Sequence, residues 1–167
     1  MPRITPEELG NLYRVHAPAL RLFARQMSSG EEDLVQEAFI KLAQQPLPPS
    51  RVLPWLYQVI RNGAIAANRS ETRRKRRQDR ASAHEVWFET TDERVDGREA
   101  TRLLAELPQE QREVIVARIW GGLTFEDIAE LVGCSLPTAH RRFQTGLIHL
   151  RERLEGSWTQ IHPRMTT

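Results

Sequence analysis

The chain has 167 residues, enough for one large domain or two small ones, and carries 28% charged residues with a formal net charge of only +2, which excludes a uniformly basic coat. A single cysteine, Cys134, excludes an internal disulfide framework or a cysteine-based zinc cluster and suits a reducing compartment. No apolar run approaches the roughly 18 residues that span a bilayer, and the N-terminal M-P-R-I-T-P-E-E lacks a signal peptide's apolar core, so a cytoplasmic protein without membrane insertion is expected.

Prolines and glycines fall between helical patterns, and no alternating pattern with hairpin signals occurs, so the fold class is all-α. Leu9, Leu12, Tyr13, Leu20, Phe23, Ala24 and Met27 recur at helical spacing, with Pro18 placed to bend this helix or begin a second one. After S-S-G at 28–30, the acidic turn of Glu31, Glu32 and Asp33 suits a helix dipole and leads into D-L-V-Q-E-A-F-I-K-L-A. Val35, Phe39 and Leu42 form its buried stripe, which leaves Asp33, Gln36 and Glu37 facing elsewhere.

Residues 44–52, Q-Q-P-L-P-P-S-R-V, contain three prolines and read as a stiff exposed loop. Pro54 opens the next helix, with Leu56, Val59, Ile60, Ala64 and Ala67 facing the core. Gly63 in its middle costs about 1 kcal/mol against alanine, which marks a close helix approach.

From 69 to 80 seven basic residues face two acidic ones, and from 85 to 99 the sign reverses, with six acidic residues against Arg94 and Arg98. The first run reads as a solvated helix end or a phosphate-contacting stripe, and the second as a flexible acidic linker over 78–97. Within that linker Trp87 and Phe88 could dock on a partner or on the chain itself. Residues 99–107 form a short helix, Pro108 opens another with Val114, Ile115 and Ile119 inward, and the tail 156–167 reads as loose.

The most informative stretch is 124–154, two helices joined by a tight turn. Thr124 and Asp127 form a capping box ahead of Phe125, Ile128, Ala129 and Val132 at helical spacing. Gly133 ends that helix, Ser135 caps the next, and Pro137 sits in its first turn. On the second helix Ala139, Phe143, Gly146, Leu147, Leu150 and Leu154 make one inner stripe, leaving His140, Arg141, Gln144 and Thr145 outside near the N-terminus. An ordinary helical hairpin would share the amphipathicity, but the order of cap, glycine, cap and basic outer face fits a helix-turn-helix reading the major groove.

These residues resemble the extracytoplasmic-function sigma factors of the sigma-70 family. The resemblance rests on D-L-V-Q-E-A-F-I-K-L at 33–42, P-W-L-Y-Q-V-I-R-N-G-A-I at 54–65, and L-P-Q-E-Q-R-E-V at 107–114 running into the helix-turn-helix. It implies two helical domains, 1–77 and 98–155, and a factor that binds core RNA polymerase and directs it to promoter DNA. By similarity Asp33, Gln36, Glu37 and Lys41 would dock on the β′ clamp helices, and the rear domain would meet the β flap. Arg51, Arg61, Asn62, Asn68, Arg69, Arg73 and Arg74 would serve the minus-ten element and its opening. Trp55 reads as core rather than as a stacking platform, so the pocket for an unpaired base would come from the 44–52 loop and the polar face around Arg61 and Asn62. Ser135, Thr138, His140, Arg141, Arg142, Gln144 and Thr145 would serve the minus-thirty-five element, and an anti-sigma protein is a further partner the family admits. Pro137, Ala139, Thr145 and Gly146 depart from the family's usual residues and leave the outer face less charged.

Two rival classes make different demands. A response-regulator type activator needs βα alternation ahead of its helix-turn-helix, which residues 1–80 lack. An enzyme needs a constellation, yet the histidines at 16, 84, 140, 149 and 162 are scattered, Cys134 has no histidine fixed beside it, and no cofactor or metal motif occurs. A bundle that buried Arg141 and Gln144 would exclude the sigma-factor reading.

Overall fold

The computed structural model describes residues 3–78 and 101–161, with side chains to 77 and to 156. The elements are α1 (Pro6–Arg25), α2 (Glu31–Gln44), α3 (Val52–Gln78), a helical turn at 101–105 (α4), α5 (Gln109–Ile119), α6 (Phe125–Val132) and α7 (Leu136–Ile161). No strand occurs among the described residues. The expected linker lies outside them except for Gln78, as do Trp87 and Phe88.

A capping box opens α1: the Glu8 amide donates to Thr5 Oγ1 at 3.2 Å and the Thr5 amide to Glu8 Oε2 at 2.8 Å. Of the two expectations for Pro18, the start of a second helix is not met: α1 runs on through it to Arg25. Ala17, Leu20, Phe23 and Ala24 are buried on either side of it, and that packing holds the helix through the missing bond. α2 buries Leu34, Val35, Ala38, Phe39 and Leu42, the expected stripe widened by two neighbours.

α3 starts two residues before Pro54 and carries the basic run on its own last turns. Its core face differs from the expected one at two positions. Tyr57 is wholly buried, edge-on to Phe23 with ring centroids 4.9 Å apart, whereas Ala67 is exposed. Gly63 does mark a close approach, because a Cβ there would lie 2.9 Å from Leu34 Cδ2.

In the rear half the expected caps are all present. Thr124 and Asp127 form their reciprocal box, and Gly133 adopts φ 69°, the left-handed conformation that ends α6. The Thr138 amide donates to Ser135 Oγ at 3.3 Å. The tail expected to be loose from 156 instead continues α7 to Ile161.

α1, α2 and α3 pack together, as do α5, α6 and α7, and the two groups also pack on each other along α1 with α5 and α3 with α6. One apolar core runs through both, from Ala17, Phe23 and Tyr57 to Leu107, Ile115 and Ile128. At the junction Gly121 lies against Tyr57, and a Cβ there would stand 2.5 Å from the Tyr57 hydroxyl and 2.5 Å from the Ala117 carbonyl oxygen. Only hydrogen fits that space. Arg112 crosses the same junction, donating through Nη2 to the Gln26 carbonyl at 3.2 Å and through Nη1 to the Ala105 carbonyl at 3.2 Å.

Candidate nucleic-acid interface

The helix-turn-helix is built from short-range chemistry. Ala139 and Gly146 are buried against the scaffold, and a Cβ at Gly146 would lie 2.5 Å from Ile115 Cδ1, so α7 sits close on α5. Phe125, at the start of α6, is the hub of the turn. Phe143 meets it edge-on at 5.3 Å, the His140 ring lies over it at 3.9 Å, and the Arg118 guanidinium stands 4.7 Å from its centroid. Leu147 and Leu154 do not belong to the inner stripe as expected and are 37% and 48% exposed. They lie roughly 60–80° round the helix from Ala139, at the stripe's edge.

Among the residues assigned to the minus-thirty-five element, His140, Arg141, Gln144 and Ser135 are exposed. Thr138 and Thr145 are half-buried, and Arg142 turns back toward α5 in an ion pair with Glu110 at 3.4 Å. His149 also turns inward, with Nδ1 at 3.1 Å from Gln111 Oε1, rather than lying on an open outer face. Arg141 and Gln144 are therefore not buried, although the halves are packed together.

On α3, Asn62, Arg69 and Arg73 share one exposed stripe by helical spacing, and Arg74 is exposed on another side. Asn68 donates through Nδ2 to the Met27 carbonyl at 2.7 Å, which ties α3 to the end of α1. Asn62 Oδ1 accepts from Gln58 Nε2 at 2.9 Å. The two remaining arginines, Arg51 and Arg61, point at the rear half. Arg51 forms a two-pronged pair with Asp127, with Nη2 at 2.7 Å from Oδ2 and a short contact from Nη1 to Oδ1. Arg61 Nε lies 3.1 Å from Glu113 Oε2, and Gln109 donates to the other carboxylate oxygen at 2.8 Å.

Both carboxylate side chains are only 4% exposed. Burial pushes the Asp127 pKa up, but hydrogen bonds from Thr124 and Arg51 outweigh it and hold the carboxyl below its ordinary value. Sequence reasoning saw Asp127 only as a cap and missed both cross-half pairs. No periodicity could have shown them, since the partners stand 76 and 52 positions apart.

On α2, Asp33, Gln36, Glu37 and Lys41 are exposed, with Lys41 paired to Glu37 at 2.8 Å. Asp33, Glu37 and Lys41 line a groove with Asn62 and Gly63 of α3, so the outer face of α2 and the exposed stripe of α3 adjoin. The other acidic residues of the first turn serve the fold. Glu32 takes Arg21 at 2.6 Å and the Tyr13 hydroxyl at 3.2 Å, while Glu31 takes Arg25 at 3.0 Å.

Residues 12–74 match the family model for Sigma-70 region 2, and residues 97–150 match that for Sigma-70, region 4. The chain belongs to the sigma-70 family. It is 31% identical over 137 residues to the ECF RNA polymerase sigma factor EcfG of Rhodopseudomonas palustris, across 75% of this chain and 73% of the relative. It is 30% identical over 153 residues to the RNA polymerase sigma factor CarQ of Myxococcus xanthus, across 86% and 87%. Among solved structures, the sigma factor RpoE of Bartonella quintana, in complex with the anti-sigma factor NepR, matches at 28% identity with a TM-score of 0.75 over 90% of this chain and 98% of that one. CnrH in complex with the cytosolic domain of CnrY shares the fold, with a TM-score of 0.59 at 21% identity over 91% and 90%.

The protein is thus an extracytoplasmic-function sigma factor, a transcription initiation factor that binds core RNA polymerase and directs it to promoter DNA. These matches do not favour the independent activator, and the family is one of non-enzymatic initiation factors. No helix among the described residues is long and apolar enough to cross a membrane.

Proposed function

We propose that the sigma factor works in the cytoplasm, without catalysis of its own, through two domains, 1–77 and 98–155, each with its own partner surface. Asp33, Gln36, Glu37 and Lys41 on the outer face of α2 dock on the β′ clamp helices of core polymerase. A charged face of this kind gives fast, salt-sensitive association with a basic coiled coil. Arg51, Arg61, Asn62, Asn68, Arg69, Arg73 and Arg74 serve the minus-ten element. There the arginines neutralise phosphates while the polar face around Asn62 receives the strand released by opening.

The rear domain meets the β flap and reads the minus-thirty-five element. His140, Arg141 and Gln144 reach base edges, whereas Ser135, Thr138, Arg142 and Thr145 contact or orient the backbone. The observation that carries this reading is the exposure of His140, Arg141 and Gln144 on the outer N-terminal face of a capped second helix. An anti-sigma protein is proposed as a further partner, because both solved neighbours were determined with one or with the partner domain CnrY.

Run-off transcription with core polymerase on promoters altered at the minus-thirty-five element tests the assignment. A well-placed arginine contributes about 1–3 kcal/mol of base discrimination, so Arg141→Ala should lower the preference between promoters by about fivefold to a hundredfold. An unchanged rank order and spread would refute the role of Arg141.

A further inference from the structure

Two histidines of α7 are held in opposite ways. The half-buried His149 is tied through a ring nitrogen, with Nδ1 at 3.1 Å from Gln111 Oε1. The exposed His140 is held by its ring face instead. Its centroid lies 3.9 Å from that of Phe125 with the planes 30° apart, and among the described residues neither of its ring nitrogens has a hydrogen-bond partner. Stacking thus fixes the imidazole while leaving both nitrogens for an outside partner.

The Phe125 ring is itself pinned from α5, from its own cap and from α7. It follows directly on the N-cap Thr124, whose reciprocal box with Asp127 sets the first turn of α6. The Arg118 guanidinium of α5 stands 4.7 Å from the ring centroid and is anchored in turn, donating through Nη1 to the Leu123 carbonyl at 2.8 Å. From α7, Phe143 meets the same ring edge-on at 5.3 Å. His140 and Phe143 are i, i+3 neighbours, and the fully buried Ala139 just before them sets the rotation of α7, so both side chains reach the one ring.

We propose that Phe125 is a positioning residue for promoter reading, which holds the His140 imidazole in one orientation with its nitrogens free before DNA arrives. The inference rests on the assignment of His140 to base edges. A ring that must be ordered at the moment of contact costs affinity for the right base and none for a wrong one, which never orders it. A ring ordered in advance keeps that discrimination. Phe125 touches no base in this scheme and acts only through His140.

Run-off transcription by the full-length chain with core polymerase, on promoters altered at each minus-thirty-five base pair in turn, first locates the pair whose preference His140→Ala flattens. Phe125→Leu keeps an apolar filling without a ring face and should lower the preference at that same pair by about twofold to tenfold. Pairs sensitive only to Arg141→Ala should keep theirs, whereas damage to the fold would lower all pairs alike. The double variant F125L/H140A should be no worse at the located pair than His140→Ala alone. In nuclear magnetic resonance spectra of the free protein, the His140 ring protons, identified by their loss in His140→Ala, should be shifted upfield by the Phe125 ring current and return to ordinary histidine positions in Phe125→Leu. No change at the located pair, a uniform loss at every pair, full additivity of the two substitutions, or unshifted His140 signals in the wild type would each overturn the inference. Should Phe125→Leu not fold, Phe125→Met repeats the test with another ringless apolar side chain. A promoter series on which His140→Ala changes nothing would instead remove the assignment of His140 to base edges, and the positioning role with it.

Discussion

Gly121 and Asp127 show how much rests on single positions at the junction of the halves. Gly121 is held between a backbone carbonyl and the Tyr57 ring, neither of which can give way cheaply. Gly121→Ala should therefore destabilise the protein by about 1–3 kcal/mol, as overpacking usually does, and lower the urea midpoint without changing the slope. Asp127 makes a prediction about acid. Its folded pKa lies below the ordinary 3.8, so its contribution to stability is complete above about pH 4 and is lost as the pH falls through the folded value. Urea midpoints measured between pH 5 and pH 3 should fall in the wild type and fall less steeply in Asp127→Asn. Equal slopes for the two proteins would show that Asp127 does not link stability to pH.

At the scale of the element, the boundaries that were legible in sequence are those written in adjacent residues. Thr124 with Asp127, Gly133 and Ser135 each act within four positions, and the structure has the caps where those residues predicted them. At Pro18 the alternative of a second helix, and at 156–161 the loose reading, failed because helix continuation there is decided by neighbours in space or by the helix already running, not by the residue itself. Tyr57 was missed as a core residue for a related reason: its phenol ring fits a space made by Phe23 and Gly121, which lie far off in the chain. The cap of α6 has a second duty, since Thr124 Oγ1 donates to Asp127 Oδ2 at 2.8 Å and so orients the carboxylate that holds Arg51. Thr124→Ala should cost about 1 kcal/mol of stability through the lost cap.

For the whole molecule, the candidate surfaces were legible as types of residue on helix faces, because exposure follows from spacing. Asp33, Gln36 and Glu37 on α2 and His140, Arg141 and Gln144 on α7 are exposed as expected. How the two halves sit on each other was not legible, since Arg51 with Asp127, Arg61 with Glu113, and Arg112 with Gln26 are encounters that no local pattern encodes. A single apolar cluster includes Phe23 and Tyr57 of the front half and Ile115 and Ile128 of the rear. Heating the free chain should consequently give a single endotherm whose calorimetric and van 't Hoff enthalpies agree, where two independent modules would give two. By the same coupling, a substitution that weakens the front helices lowers the melting temperature of the promoter-reading helices as well, even though it touches none of them.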